Sequence, residues 1–387
     1  MINRDVQNEV IKLSKQFKAV AIVGPRQSGK TTLARYAFDH LPYVSLENPD
    51  TRNFALDDPR GFLAQYSSGA ILDEAQRAPQ LFSYLQQILD ESSDTGRFII
   101  TGSNNFLLQD SISQSLAGRI AYIYLLPFSL SELKVDSDLT GTLFKGLYPP
   151  IYDQPVETRK WYADYIRTYI ERDVRQIKNI TDLNSFERFL RLCAGRIGQL
   201  LNMSSLAIET GVDSKTIASW FGVLESSFIT FRLHPHHVNF NKRVVKMAKL
   251  YFYDTGVACA LLGIENVRQL NTHYSRGSIF ENLIVTEFIK QRFNRGFSHN
   301  LFFWRDNVGH EVDIIAETPA GLVPVEIKAG QTITGDFFKN LQYWMKISNN
   351  ESGIIIYAGN HSQERSTGIR VVPWYLISDA YSTVFGG

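Results

Sequence analysis

The 387-residue sequence predicts an α/β protein built in several parts, and three observations predict it. Over residues 1–135, short apolar runs alternate with segments of helical period, the pattern of a parallel sheet wrapped by helices. Over 201–265, two short amphipathic segments flank a GVD turn and lead into two strand-like stretches, the pattern of a winged helix. Over 266–387, a long helical segment precedes two strand patterns around ETPAG, which points to a second α/β unit. Residues 136–200 between the first two parts read as a linker followed by helices. Apolar residues make up 44% of the chain and charged residues 20%, ordinary for a globular protein. The formal charge of +1 excludes a global field toward nucleic acid, so any such contact must come from a local patch. Cys193 and Cys259 have no metal-ligand spacing and read as buried reduced thiols. The start, MINRDVQNEVIKL, has an early acid and no apolar core, and no stretch is apolar enough to span a bilayer. The expectation is a cytoplasmic protein with no membrane contact.

Taken in order, the first element is AVAIVGPRQSGKT, residues 19–31. An apolar strand runs into G-x-x-x-x-G-K-T and then into the helix-like TLARYAF, the context in which this motif binds phosphate. Gly24 and Gly29 let the backbone curl so that N–H groups face phosphate oxygens. The helix start adds a positive end. Lys30 reaches the β- and γ-phosphates and Thr31 offers a hydroxyl to Mg²⁺. The candidate nucleotide contacts are Gly24, Pro25, Arg26, Gln27, Ser28, Gly29, Lys30, Thr31 and Thr32. The plain alternative, a Gly/Ser turn ending in a surface lysine, does not explain the flanking strand and helix.

Residues 70–76, AILDEAQ, form a second buried strand ending in adjacent acids. Asp73 at the strand tip suits the magnesium shell. Glu74 points elsewhere and suits orienting or deprotonating a water. A helix start with acids in its first turn is the competing reading. A strand-like segment spans Tyr43 to Leu46, and RFIITGSNN follows the acids after a helix. Its end places Ser103 or Asn104 where a polar group could sense the γ-phosphate. LAGRIAYIYLL then carries Arg119 into a fifth strand. Arg119 either stabilises charge on a transferring phosphoryl group, in which case serving a neighbour's site would require an oligomer, or makes a structural ion pair.

Through GPRQSGKT, ILDEAQ, TGSNN and LAGR, the sequence resembles the AAA+ ATPases. The resemblance implies ATP and Mg²⁺ as cofactors and hydrolysis with Glu74. It also implies a homo-oligomer, such as a hexameric ring, in which Arg119 acts on the adjacent subunit.

In the middle of the chain, residues 136–155 are rich in Gly, Pro and Asp and read as a linker or loop. The next segment, from Val156, puts Trp161, Tyr165, Ile166, Tyr169 and Ile170 on one helical stripe, which fits a helical lid. In SSLAIETGVDSKTIASWFGVLESSF, Ala207 and Gly211 permit a tight crossing and Asp213 or Ser214 caps the second helix. Leu206, Val212, Ile217 and Trp220 are its candidate core. FITFRLH and KLYFYD follow as a wing. Lys215 is the sole basic residue from 214 to 224, which argues against base reading. The better patch is Arg232, Lys242, Arg243, Lys246 and Lys249, which could track phosphates. HPHH, residues 234–237, reads as a solvated loop.

In GHEVDIIAETPAGLVPVEIK, a hairpin centred between Pro319 and Ala320 puts Asp313 opposite Glu326 and Glu311 opposite Lys328. Val312 would then meet Ile327, and Ile314 would meet Val325, on the other face. Side-by-side carboxylates repel unless something positive lies between them, and a divalent cation is the economical answer. Lys328 would orient or activate a water beside it. In RGSIFENLIVTEFIKQRF, Glu281 shares a stripe with Ile284, Val285 and Phe288, so it needs a partner such as a metal or a lysine. A structural Glu–Lys pair on a half-exposed sheet is the competing reading.

Asp313, Glu326, Lys328 and Glu281 resemble the core motif of the PD-(D/E)xK, or restriction-endonuclease-like, superfamily, with Val312 where a proline is usual. The resemblance implies Glu281, Asp313 and Glu326 as metal ligands and Lys328 as catalytic. The fold class expected is therefore α/β: a P-loop AAA+ parallel sheet with a helical lid, then a winged helix and a restriction-endonuclease-like domain. KLYFYDTGVACALLG, GSIFEN and VEIK make the whole chain similar to a prokaryotic ATPase family with this order of parts. Two functions compete. One is an ATPase acting on DNA with a Mg²⁺-dependent nuclease-like domain that cleaves or only binds. The other is an ATP-driven switch whose degenerate nuclease-like domain docks a protein partner. A small-molecule kinase has the right loop but no use for the second half.

Overall fold

Five strands give the first part its frame: β1 (Ala19–Val23), β3 (Ala70–Asp73) and β4 (Phe98–Gly102), buried throughout, and β2 (Tyr43–Ser45) and β5 (Ile120–Tyr124), buried in part. The computed structural model describes residues 2–103, 116–135, 137–174 (backbone alone over 171–174), 180, 182–237 and 245–386. The strands are parallel in the order β2-β3-β4-β1-β5. Runs such as AVAIV are apolar at every position because helices cover both faces. Val20 and Ile22 pack with Val6, Val10 and Leu33 on one face, and Ala19, Ala21 and Val23 join the main core on the other.

Residues 136–155 do not form the linker that their composition predicts. The residues that read as breakers act as caps instead. Asp138 accepts from the Gly141 N–H at the start of the Leu139–Lys145 helix, and Pro149 opens the Pro149–Asp153 helix. Leu139, Leu143, Leu147 and Tyr148 are buried. The Thr158–Tyr165 helix continues as wider π-helical turns over Ile166–Val174. Tyr165, Ile166, Tyr169 and Ile170 are buried. The Trp161 and Tyr165 rings stack at 5.1 Å, and Tyr148 and Tyr165 lie 5.0 Å apart, pairs worth roughly 0.5–1.5 kcal/mol each beyond burial.

The helices Met203–Thr210 and Ser214–Ser226 meet at Gly211, φ 79°, and Asp213 caps the second. Strands β6 (Thr230–Leu233) and β7 (Lys249–Phe252) pair antiparallel. HPHH is solvated only in part. Pro235 and His236 are buried while His234 and His237 are exposed, the His236 N–H donates to the Phe303 carbonyl at 2.7 Å, and the Phe303 N–H donates to the carbonyl of His234 at 3.1 Å. The His236 ring lies 2.9 Å from Glu317. The segment after β6 thus docks on the edge of the last sheet.

That sheet runs β12-β13-β11-β10-β9-β8. Its strands are β8 (Leu301–Arg305), β9 (Glu311–Thr318), β10 (Gly321–Lys328), β11 (Gly353–Tyr357), β12 (Gln363–Glu364) and β13 (Ile369–Pro373). β8, β9 and β10 are antiparallel neighbours, and β10, β11 and β13 are parallel. The β9–β10 register runs from Thr318–Gly321 to Ile314–Val325, as the hairpin reading requires. The predicted Val312–Ile327 pair does not form: Val312 packs with Trp304 and Ile315, whereas Ile327 packs with Ile314 and Val325. The cause is a bulge. The β8–β9 register shifts between Phe302–Ile315 and Trp304–Val312, which rotates β9 below Ile314.

Cys193 and Cys259 are buried and free. Among the described residues no helix is long and apolar enough to cross a membrane.

Candidate functional site

At the end of β1 the chain turns through Gly24–Gly29 into the Lys30–Ala37 helix. Gly29 has φ 93°, in the left-handed region. A Cβ on Gly24 would lie 2.1 Å from the Leu125 carbonyl oxygen, so only glycine fits there. The Lys30 ammonium is buried and donates to the Pro25 carbonyl at 2.7 Å. Burial brings its pKa down to about 8, against the opposing pull of Glu74 and Asp73. Ser28 Oγ is buried without a hydrogen-bond partner among the described residues. An unpaired hydroxyl, a buried ammonium and curled backbone N–H groups fit the oxygens of a triphosphate. Arg26 lies 3.6 Å from Glu47, and Thr32 is exposed.

Asp73 sits beside this loop. The Thr31 hydroxyl donates to its Oδ1 at 3.0 Å, Thr101 donates to the same oxygen, and the Tyr43 phenol donates to Oδ2 at 2.7 Å. A carboxylate and two threonine hydroxyls at a strand tip fit a magnesium shell. Burial and then the bond to Asp73 raise the Tyr43 pKa to about 12. Neither Tyr43 nor Thr101 stood out in the sequence, although each lies on a strand next to β3 or one removed from the loop. Glu74 adopts φ 54° and ψ 43°, which turns it away from Asp73. Its Oε2 accepts from the Ser103 hydroxyl at 2.9 Å and from the Gln76 amide. Asn104, the other candidate sensor, lies outside the described residues. The Tyr165 hydroxyl reaches the Arg26 carbonyl and that of Tyr169 the Ser103 carbonyl, both at 3.4 Å, so the lid touches both sides of the site.

Arg119 is not at its own chain's loop. It precedes β5, whose parallel register with β1 pairs Ile120 with Ala19 and Tyr124 with Val23. Arg119 therefore lies at the opposite end of the strands, about 15 Å from the loop at the usual rise per residue. Its guanidinium grips both oxygens of Asp90, at 2.5 and 2.9 Å. Within one chain it makes the structural ion pair.

The C-terminal acids meet a residue assigned by sequence to another role. Lys249, read as part of a basic wing, is buried with its ammonium 2.9 Å from Glu281, 2.5 Å from Glu311 and 3.7 Å from Asp313. The Tyr251 phenol donates to Glu281 at 2.5 Å. Asp313 Oδ2 accepts the Ile327 N–H at 2.8 Å, and Lys328 pairs with Glu326 at 2.5 Å rather than with Glu311. Glu311 takes Arg305 at 2.9 Å as well. Burial, then Glu326 and Glu281, push the Asp313 carboxyl well above its usual range. Burial drives Glu326 up to about 7 against the Lys328 ammonium. Burial opposes the Lys249 charge, but Glu281, Tyr251, Asp313 and Glu311 outweigh it and raise its pKa. Burial opposes the charge of Lys328, but Glu326 and then Asp313 and Glu281 raise its pKa.

The residues present do not fit a divalent ion here. Among the described residues no three His, Cys, Asp or Glu side chains are grouped to hold a metal, and the positive group that lies between Glu281 and Asp313 is Lys249. Of the basic patch, three residues lie among the described ones. Arg232 is bound by Glu225 at 2.6 and 2.7 Å, Lys249 is buried, and Lys242 and Arg243 lie outside the described residues, which leaves Lys246 exposed.

Residues 16–134 match an AAA domain family model, residues 136–268 a Domain of unknown function (DUF8612), and residues 276–377 a Domain of unknown function (DUF4143). The uncharacterized protein Rv2008c of Mycobacterium tuberculosis is 28% identical over 376 residues, 96% of this chain and 83% of that protein. An uncharacterized Haemophilus influenzae protein is 22% identical over 299 residues, 72% of this chain and 70% of that one. Among solved structures, the Walker-type ATPase paby2304 of Pyrococcus abyssi is 15% identical with a TM-score of 0.47, covering 67% of this chain and 96% of that one. The stretch that matches the AAA domain model is the one that carries the phosphate loop, the acids of β3 and the parallel sheet.

Proposed function

We propose that the chain binds ATP with Mg²⁺ at residues 24–32 and hydrolyses it, with Glu74 orienting and deprotonating the attacking water. The division of labour between two adjacent acids carries this reading. Asp73 is bound by Thr31, Thr101 and Tyr43, the hydroxyl set of a metal site, while Glu74 turns to Ser103 at the end of β4. Because β4 lies between β1 and β3, Ser103 stands between the phosphate loop and the acids. Mg²⁺, when bound, offsets charge on the β- and γ-phosphates. Lys30 and the loop N–H groups hold the phosphates, and Ser103 holds Glu74 where it can take a proton. Phosphate release from ATP tests the assignment. Lys30→Ala is expected to lose ATP binding and turnover. Glu74→Gln is expected to keep binding and lose turnover by about 100-fold or more. Unchanged turnover in Glu74→Gln removes Glu74 from its role.

For the output of this cycle, the geometry favours a switch that docks a protein partner over action on DNA. Arg232 and Lys249 are already neutralised, and the backbone of His234 and His236 is paired with β8. DNA affinity is accordingly expected to be absent or insensitive to salt, since phosphate contacts weaken steeply with salt. Steeply salt-dependent binding, or Mg²⁺-dependent cleavage lost in Glu326→Ala, restores the nuclease reading. Assembly into a homo-oligomer with Arg119 serving the next subunit requires that Arg119 leave Asp90.

A further inference from the structure

We propose that Lys249 is the resident cation of the C-terminal acidic pocket, locking β7 to the last sheet and excluding a divalent ion. The pocket gathers Glu281 from the Arg276–Phe293 helix, Glu311 and Asp313 from β9 and Glu326 from β10. Lys249 enters from a fourth element, at the first position of β7, with its side chain 2% exposed. One buried ammonium facing carboxylates from two separate elements has the surroundings of a bound cation. Being covalently part of β7, it is present at any metal concentration. Tyr251, two residues on and therefore on the same face of β7, adds a second bond to Glu281.

The remaining positive groups are used at the rim: Arg305 on Glu311 at 2.9 Å and Lys328 on Glu326 at 2.5 Å. Glu326 Oε2 is buried and has no hydrogen-bond partner among the described residues. Four carboxylates thus face three cations, Lys249, Arg305 and Lys328. Remove Lys249 and Glu281, Glu311 and Asp313 lose the ammonium they share. The oxygens freed on Glu281, Glu311 and Asp313 are the hard ligands divalent ions take, and one such ion would have to draw them together in place of the ammonium. This lock is independent of ATP hydrolysis, and either proposal can fail without the other.

The test is Mn²⁺ binding to the full chain without nucleotide, followed by calorimetry and electron paramagnetic resonance. The parent protein and Lys249→Arg are expected to bind no Mn²⁺ that depends on Glu326. Lys249→Met is expected to gain one Mn²⁺ site and to lose it again when combined with Glu326→Gln. Its melting temperature is expected to fall and to be raised again by Mn²⁺ but not by K⁺. Mn²⁺ binding by the parent protein that disappears in Glu326→Gln overturns the proposal, as does a folded Lys249→Met that binds none. If Lys249→Met unfolds without metal, folding restored by Mn²⁺ alone supports the lock, and folding restored by neither ion overturns it.

Discussion

Four donors converge on the Asp254 carboxylate: the Leu147 N–H at 2.7 Å, the Tyr162 phenol at 2.8 Å, the Gly256 N–H at 2.9 Å and the Val257 N–H at 3.1 Å. The side chain caps the Thr255–Leu261 helix and pins it to the lid region. Burial pushes its pKa up and the donors pull it back. Asp254→Ala would leave these donors unpaired, and a loss of about 3 kcal/mol or more is expected in urea unfolding. Asp254→Asn, which keeps an acceptor oxygen, is expected to lose less. At this scale the sequence is partly legible. The phosphate loop and the acids of β3 announce themselves because their spacing is local. Lys249 does not, because its carboxylate partners lie 32 or more residues further on and a lysine beside a tyrosine-rich strand reads equally well as surface charge.

At the scale of elements, the Arg276–Phe293 helix does the joining. Toward its start, Glu281 meets Lys249. Toward its end, Glu287 accepts the Leu130 N–H at 2.8 Å and pairs with Lys290 at 2.8 Å, while Lys290 also donates to the Phe128 carbonyl at 2.7 Å. Both side chains are buried, so each charge depends on the other. Glu287→Leu alone is expected to cost about 3–5 kcal/mol, and Glu287→Leu with Lys290→Met much less, in a double-mutant unfolding cycle. Equal losses in the single and double variants would show that the pair adds nothing. The helix itself is visible in the sequence, but its sides are not: it is buried nearly all round, so a single apolar stripe found Glu281 and overlooked Asn282, Glu287 and Lys290. The β9–β10 register is legible because a period of two leaves no choice about which face is buried. It is lost at Asp313 because the bulge is set by β8, which no local pattern reports.

Across the whole molecule, polar contacts connect the phosphate loop to the acidic pocket. Arg4 donates to the Ser28 carbonyl at 2.7 Å, to the Leu126 carbonyl at 2.7 Å and to Glu132 at 3.0 Å. Glu132 completes the cap of the Leu130–Leu133 helix, whose first N–H is held by Glu287. The same long helix then carries Glu281 to Lys249. ATP binding is expected to change amide exchange in residues 276–293, measured by hydrogen–deuterium exchange, and Arg4→Ala is expected to abolish that change while ATP still binds. An unchanged response in Arg4→Ala would assign the coupling to another path. A single apolar cluster also extends from β1 through the lid and the paired helices to β10, so these parts are buried against each other rather than strung along a chain.

The docking of His234–His236 on Phe303 has a further consequence. A product cut short before residue 266 would carry half of that seam into water, and one starting after it would present a raw β8 margin to any neighbour. Truncated forms of this chain should therefore clump, not persist as free-standing pieces.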